Sequence, residues 1–308
     1  MEIFFPLLLA ATVFIPNKND VKKSFSKSLL EVKPTFFVGV PRVYEKLMDK
    51  INSIEAESSF LSQASLRWAK DVVLEHHMND NCETSSIQLR IAKKIVNSNV
   101  KAALGFADCH NFVTGSAPIS SELKKVFLSL DINMFNGYGL TETIAVVTRS
   151  SGGFSSMNSI GKPLPVVKIK ISNPDERGNG EICVKSRSVF MGYLNDVEAT
   201  KEAFDDEKWL RTGDIGYIDD DGNIFITGRI KELIITSGGK NIPTNVTEDR
   251  VKNNCPAISN AFLIGDKRKF LSMLITLKTK INEDGSPTDE LSETSLKWVE
   301  KMDLRLET

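Results

Sequence analysis

The stretch Asn136-Gly137-Tyr138-Gly139-Leu140-Thr141-Glu142-Thr143 constrains this chain more than any other. Within eight residues it sets one aromatic ring, two glycines, two threonine hydroxyls and one carboxylate. A ring can stack on a purine base, and glycines let the backbone approach a bulky ligand. A hydroxyl can bond a phosphate oxygen, and a carboxylate can hold Mg2+. The combination points to a nucleotide site. Upstream, Asn111 to Thr114 reads as a short strand, Gly115-Ser116-Ala117-Pro118 turns the chain, and Ser120 caps a helix running through Leu130. Strand, tight turn and helix are the geometry that places ligands at the carboxyl ends of strands in α/β sheets. Taken alone, each segment is also compatible with a plain structural turn.

The 308 residues suffice for two domains, or for one domain with an appendage. A hydrophobic content of 41% and a charged content of 26% describe an ordinary soluble globular protein. The net charge of −1, from 39 basic and 40 acidic residues, gives no electrostatic reason to expect nucleic-acid binding. The four cysteines, Cys82, Cys109, Cys183 and Cys255, are scattered and show no metal-ligand spacing. Reduced thiols of a cytosolic protein are the simplest reading. The apolar start, Met1 to Ile15, carries an acidic residue, Glu2, where a signal peptide carries basic ones, and is interrupted by Pro6, which argues against a signal peptide. It is too short and broken to span a bilayer. A buried helix running into a strand at Ala11 to Ile15 is expected instead.

Val32 to Val40 reads as an approach to a strand. Pro41 then starts a helix at its first turn, with Val43, Leu47 and Ile51 at helical spacing. Residues 54 to 104 read as mostly helical, broken near Asn79 to Ser86. From about Ser150 the pattern changes to short strands at Val166 to Ile171, Glu181 to Lys185 and Ile224 to Thr227. Turns at Asn173-Pro174-Asp175 and Asp219 to Asn223 separate them. This is the signature of a small antiparallel barrel or sheet. Leu233 to Thr236 and Ala261 to Ile264 are further strands, and Leu291 to Leu306 reads as an amphipathic helix.

Two later motifs, Arg211-Thr212-Gly213-Asp214 and Gly228-Arg229-Ile230-Lys231-Glu232-Leu233-Ile234-Ile235 with Gly238-Gly239 close behind, complete an ordered set. The set resembles the adenylate-forming enzymes: acyl-CoA synthetases, luciferases and peptide-synthetase adenylation domains. The resemblance implies an α/β adenylate-forming fold in incomplete form. Residues 1–150 would be the C-terminal part of the α/β AMP-binding lobe. Residues 151–229 would be an antiparallel β subdomain, and residues 230–308 a truncated small α+β domain after the hinge. The family reaction joins a carboxylate to the α-phosphate of ATP, giving an acyl-adenylate, and a thiol then attacks the adenylate carbonyl. No side-chain nucleophile is needed, and no Ser-His-Asp or Cys-His set is evident. By resemblance Gly115, Ser116 and Ala117 pass beside the adenine, within a nucleotide cradle that includes Asn136, Gly137 and Gly139. Tyr138 stacks on the base, Thr141 bonds the α-phosphate, and Glu142 helps hold Mg2+. Asp214 accepts from the ribose hydroxyls, Arg229 contacts ribose or phosphate, and Lys231 occupies the hinge. Gly238 and Gly239 lie near the path of coenzyme A. A turn aspartate at Asp214 and a solvated charged face at Arg229 to Glu232 are the plainer alternatives.

Several segments narrow the branch. Val189-Phe190-Met191-Gly192-Tyr193-Leu194, Lys231 to Pro243, and Gly265 to Lys278 with its Lys-Phe-Leu-Ser-Met-Leu run are similar to bubblegum-type long-chain acyl-CoA synthetases. The implied partners are a long-chain fatty acid, ATP and coenzyme A. The implied setting is cytoplasmic, with peripheral contact at the endoplasmic reticulum membrane suiting the substrate. The family's phosphate-gripping loop, expected upstream of Met1, and its catalytic lysine, expected beyond Thr308, have no counterpart. The expectation is therefore an incomplete chain with little or no ligase activity alone. A catalytically silent nucleotide- or acyl-binding module and an adenylating enzyme for a non-lipid acid stay open as alternatives.

Overall fold

The computed structural model describes residues 6, 10–15, 25–78, 86–117, 119–144, 146–150, 157–238, 241–282 and 287–302. The chain forms two compact units. One comprises Met1–Lys170, Val184–Leu210 and Ile218–Phe225, the other Ile171–Cys183, Arg211–Tyr217 and Ile226–Thr308.

In the first unit, apolar residues at helical spacing cover one side of a short sheet. The order is α1 (Phe25–Val32), β1 (Phe36–Gly39), α2 (Pro41–Glu57), α3 (Phe60–Met78), α4 (Ser86–Val96), β2 (Asn111–Gly115), α5 (Ser121–Ser129) and β3 (Met134–Tyr138), then β4 (Thr148–Arg149) and β5 (Lys162–Pro163). A π-helical turn, Asn97–Lys101, extends α4. The sheet runs β1-β2-β3-β4-β5. Its first three strands are parallel and its last two antiparallel. Helix α2 begins with proline in its first turn and buries Tyr44, Leu47 and Ile51; of the expected stripe Leu47 and Ile51 are buried, while Val43 is only half-buried against the same core and Tyr44 takes the deep position. Ser120 caps α5 by accepting from the Leu123 amide at 3.2 Å, which removes one orphan donor of the first turn.

The core is aromatic. Phe37 meets Tyr44 edge-on at 5.7 Å and Phe106 at 4.9 Å, and Tyr44 meets Phe127 at 5.4 Å. Tyr44 is fully buried and its hydroxyl donates to the Val113 carbonyl at 3.1 Å. That bond satisfies the phenol and ties α2 to β2, the strand that carries Gly115. Burial holds this phenol far above the ordinary tyrosine range.

One expectation is corrected. Ala11 to Ile15 form no strand and are exposed, with Phe14 51% and Ile15 78% accessible. Apolar content alone does not make a strand. A strand needs a hydrogen-bonding neighbour, and none among the described residues pairs with this segment. The expected buried helix before it falls almost wholly outside the described residues.

β6 (Lys168–Ser172), β7 (Gly180–Lys185), β8 (Leu210–Ile218) and β9 (Ile224–Arg229) form a four-stranded sheet in that order, and α6 (Val197–Glu202) lies between β7 and β8 in sequence. The β8–β9 connection is far too short for a parallel crossover, so the pair is antiparallel. The turn residues do what their chemistry predicts. Asp175 Oδ1 accepts from the Arg177 and Asn179 amides, each at 2.9 Å. Asp219 Oδ1 accepts from the Asn223 amide at 2.7 Å. The second unit also holds β10 (Leu233–Ile235), β11 (Asn241–Pro243), α7 (Thr244–Asn254), β12 (Ile258–Ile264), β13 (Ser272–Leu277), β14 (Thr279–Ile281), β15 (Pro287–Leu291) and α8 (Glu293–Lys301). These strands pair as three antiparallel hairpins. Among the described residues, no helix is long and apolar enough to cross a membrane.

Candidate functional site

In the first unit two parallel strands end side by side, with Thr114 opposite Asn136 and Gly115 opposite Gly137. A Cβ on Gly115 would lie 2.7 Å from the Gly137 carbonyl oxygen, so the close approach of the strand ends requires glycine. The chain leaves β2 through Ser116, whose φ of +68° is left-handed. Ser116 and Ala117 are exposed. Thr114 is fully buried, and its Oγ1 has no hydrogen-bond partner. Buried hydroxyls are rarely left so. Its position at the strand end, next to the glycine pair, fits a ligand-binding edge.

The residues after β3 divide into those that build the turn and those that face out. Thr143 is buried, and its hydroxyl accepts from the Leu140 amide and donates to the Leu140 carbonyl, both at 3.0 Å. It closes the 3-10 turn Thr141–Thr143. Thr141 is exposed and Glu142 half-buried. Asn136 serves the fold as well, since its side-chain amide donates to the Ser159 carbonyl at 2.9 Å. Tyr138 is only 9% exposed, so purine stacking on its ring requires the residues that cover it to shift. Gly139 is half-buried.

The Glu142 carboxylate has a partner that the sequence did not reveal. The Tyr193 hydroxyl donates to Glu142 Oε1 at 2.8 Å, and the Phe190 amide donates to the Glu142 carbonyl at 2.7 Å. The hydrogen bond to Glu142, then burial and the carboxylate's charge, push the Tyr193 phenol up. The two residues are 51 positions apart, so no spacing rule finds the pair. The Phe-Met-Gly-Tyr-Leu segment stood out only by resemblance. No cluster of three or more His, Cys, Asp or Glu occurs among the described residues. Mg2+ does not require one, because it keeps several waters and leans on one or two carboxylates and substrate phosphates. A half-buried Glu142 held by an uncharged phenol fits that role.

In the second unit Asp214 and Arg229 come together. Arg229 Nε donates to Asp214 Oδ1 at 2.7 Å, with the Asp214 side chain 3% and the Arg229 side chain 52% exposed. The Arg-Thr-Gly-Asp segment lies within strand β8 rather than in a connecting turn. Gly213 has φ +72° there. The Thr212 hydroxyl donates to the Ile182 carbonyl at 2.7 Å and accepts from the Asp214 amide at 3.1 Å. The Gly213 amide donates to Glu181 Oε1 at 3.1 Å. The acid is thus set on a strand braced by its neighbour, which gives it a defined position.

Lys231 sits exposed in the 3-10 turn Ile230–Glu232 that follows β9. Gly238 belongs to the β10–β11 turn, and a Cβ there would meet nothing nearer than Thr236 Oγ1 at 4.0 Å. That turn is tied to the next one: Ile235 N donates to Asp266 Oδ1 at 3.2 Å and Ser237 N to the Arg268 carbonyl at 3.0 Å. Gly239 lies outside the described residues. Cys109 and Cys255 form no disulfide, and burial pushes the Cys109 thiol up to about 11.

Comparison with known proteins gives a consistent picture. Residues 1–194 match the family described as AMP-binding enzyme, and residues 231–308 match the AMP-binding enzyme C-terminal domain. The chain is 44% identical over 306 residues to the long-chain-fatty-acid–CoA ligase ACSBG2 of Gallus gallus, covering 98% of this chain and 40% of that protein. It is 44% identical over 302 residues to the long-chain-fatty-acid–CoA ligase ACSBG1 of Homo sapiens, covering 97% and 41%. The chain therefore spans about 40% of the length of the curated relatives it matches. Among solved structures, the o-succinylbenzoate CoA synthetase MenE of Bacillus subtilis in complex with the acyl-adenylate intermediate OSB-AMP matches with a TM-score of 0.64 at 22% identity, covering 91% of this chain and 48% of that one. The same enzyme in complex with ATP and magnesium ion matches with a TM-score of 0.62 at 23% identity, covering 91% and 49%. At that identity the likeness shows the fold alone, and the fold is that of the adenylate-forming enzymes.

Proposed function

The chain belongs to the AMP-binding enzyme family, and from that premise we propose that it serves ATP-dependent ligation of a long-chain fatty acid to coenzyme A. The acid's carboxylate attacks the α-phosphate of ATP, forming the acyl-adenylate and releasing pyrophosphate. The coenzyme A thiol then attacks the adenylate carbonyl, forming the thioester and releasing AMP. The observation that carries this reading is the pair of parallel strand ends at Gly115 and Gly137, with Thr141 and Glu142 directly beyond. The names of the relatives support the long-chain acid as substrate.

On this reading Gly115, Ser116 and Ala117 leave room for the adenine, and Tyr138 gives it a stacking surface. Thr141 donates to an α-phosphate oxygen, where charge builds as the acid attacks. Glu142 is the carboxylate for Mg2+, which neutralises phosphate charge when bound. Asp214 accepts from the ribose hydroxyls, and Arg229 both fixes Asp214 and supplies positive charge to ribose or phosphate. Lys231 is the hinge position, and Gly238 and Gly239 belong to the coenzyme A path. A cytosolic protein with peripheral contact at the endoplasmic reticulum membrane would meet such an acid where it partitions.

The test is calorimetric titration of the chain with a non-hydrolysable oleoyl-adenylate analogue, beside Tyr138→Ala and Asp214→Asn. Binding that weakens by about tenfold or more in each variant supports the assignment, as expected when one stacking or hydrogen-bonding partner is lost. Binding that both variants retain would mean the analogue sits elsewhere and the assignment is wrong. Binding without any acyl-CoA formation would favour a silent nucleotide- or acyl-binding module.

A further inference from the structure

The segment Phe190 to Tyr193 holds Glu142 at two points, and nothing in the proposed reaction uses that segment. Its amide at Phe190 fixes the Glu142 main chain, and its Tyr193 hydroxyl fixes one carboxylate oxygen, at 2.7 and 2.8 Å. The segment is itself braced. The Tyr193 amide donates to Thr200 Oγ1 at 2.9 Å, and that hydroxyl donates to the Asp196 carbonyl at 2.7 Å. The Asp196 side chain caps α6 by accepting from the Ala199 amide at 2.9 Å. The Phe190 ring meets Tyr193 edge-on at 4.8 Å and stacks on Phe204 at 5.8 Å. Gly192, with φ +152°, passes so close to Thr200 that a Cβ would lie 2.6 Å from its methyl carbon. The tyrosine is therefore placed by its surroundings rather than resting on Glu142 by chance.

We propose that Tyr193 is a positioning residue for the metal-holding carboxylate: its hydroxyl occupies Oε1 of Glu142 and orients Oε2 toward a divalent cation. The inference rests on the reading of Glu142 as the Mg2+ carboxylate. A carboxylate on a half-exposed turn can rotate about its terminal torsion, and a ligand free to rotate binds a cation weakly. A donor to one oxygen removes that freedom, and an uncharged donor does so without cancelling the negative charge the cation needs. This is how partners one step removed from a metal orient its ligands and tune affinity. The surrounding side chains agree, because Phe190, Phe204 and Thr200 bring no positive charge to compete with the cation.

The test is Mn2+ binding to the full chain with a non-hydrolysable ATP analogue present, followed by the electron paramagnetic resonance signal of free Mn2+ and counted as the Mn2+ bound beyond that held by the same analogue without protein. Wild type, Tyr193→Phe and Glu142→Gln are compared, with circular dichroism to show that each is folded. Tyr193→Phe, which removes one oxygen and keeps the ring, should weaken Mn2+ binding about tenfold, the lower end for loss of an outer partner. Glu142→Gln should abolish it, and the double variant should be no worse than Glu142→Gln alone. If Tyr193→Phe binds Mn2+ as wild type does while Glu142→Gln does not, the positioning role is wrong and the reading of Glu142 survives. If Glu142→Gln binds as wild type does, or wild type binds no Mn2+, the reading of Glu142 fails and the inference with it.

Discussion

Glu142 and Asp214 are both carboxylates placed by short motifs, yet the fold treats them differently. Glu142 sits half-buried on a 3-10 turn beyond a parallel strand, and its partner is a neutral phenol. Asp214 lies in a strand with its side chain 3% exposed, and its partner is a guanidinium. A neutral partner leaves negative charge available to a cation, whereas an ion pair spends it internally. The difference teaches that the two acids suit different tasks. Glu142 suits electrostatic attraction, and Asp214 suits accepting hydrogen bonds from a ligand's hydroxyl groups at a fixed place. It also teaches that their removal should cost different things.

The largest expected effect is on stability, at Asp214. Asp214→Ala removes the buried acceptor and leaves Arg229 without it. Arg229 is half-exposed and can reach water, so the cost should be about 2–3 kcal/mol rather than at the top of the range for buried pairs. Urea unfolding measures it, and a change below about 0.5 kcal/mol would show the pair contributes little, as many exposed pairs do.

A third carboxylate, Asp131, provides a reference for what strong pairing does. Burial alone would raise its pKa. Hydrogen bonds from His77 at 3.0 Å and Lys93 at 2.9 Å, with the charges of Lys93 and Lys101, outweigh burial and hold it at about 2, down from 3.8. A depressed folded pKa means that the unfolded chain binds the proton more readily. The stabilisation is fully present above about pH 4 and is lost as the pH falls through about 2, amounting to about 1–2 kcal/mol. Asp131→Asn should flatten the acid limb of the unfolding curve in that window. An unchanged acid limb would place the acid sensitivity elsewhere.

Gly192→Ala is expected to cost about 1–2 kcal/mol, from left-handed strain and the contact with Thr200. It should also loosen the clamp on Glu142, so that Mn2+ binding weakens along with stability. An alanine variant of wild-type stability would show that the segment has room to adjust.

The smallest effect separates the two acids most sharply. Glu142→Gln should change unfolding free energy by less than about 1 kcal/mol, because a partly exposed hydrogen bond to a neutral phenol contributes little net stability. If its cost instead matches that of Asp214→Ala, Glu142 is a structural residue and the contrast collapses.

Local chemistry made much of this legible in the sequence. The proline start and apolar face of α2, the Ser120 cap, and the aspartate turns at Asp175 and Asp219 all depend on contacts within a few residues. The motif positions were also legible, as was the short strand at Asn111 to Thr114 with a turn and a capped helix after it. Ala11 to Ile15 was misread because a strand is a relation between segments, and apolar composition carries only one side of it. Thr143 could not be separated from Thr141 by residue type. One hydroxyl closes the turn on Leu140 and the other faces out, and only the backbone path decides which.

The sequence by itself determined helix starts, caps and turns, the family and the residue types at the strand ends, since propensity, capping and motif order are properties of neighbours along the chain. The tertiary structure alone decided the partners. It brought Tyr193 to Glu142 across 51 positions, set Arg229 against Asp214 across 15, and gathered His77, Lys93 and Lys101 around Asp131. The physical reason is that the task of a carboxylate depends on its burial and on the charge of what donates to it. Both are properties of packing, which residues distant in sequence supply together.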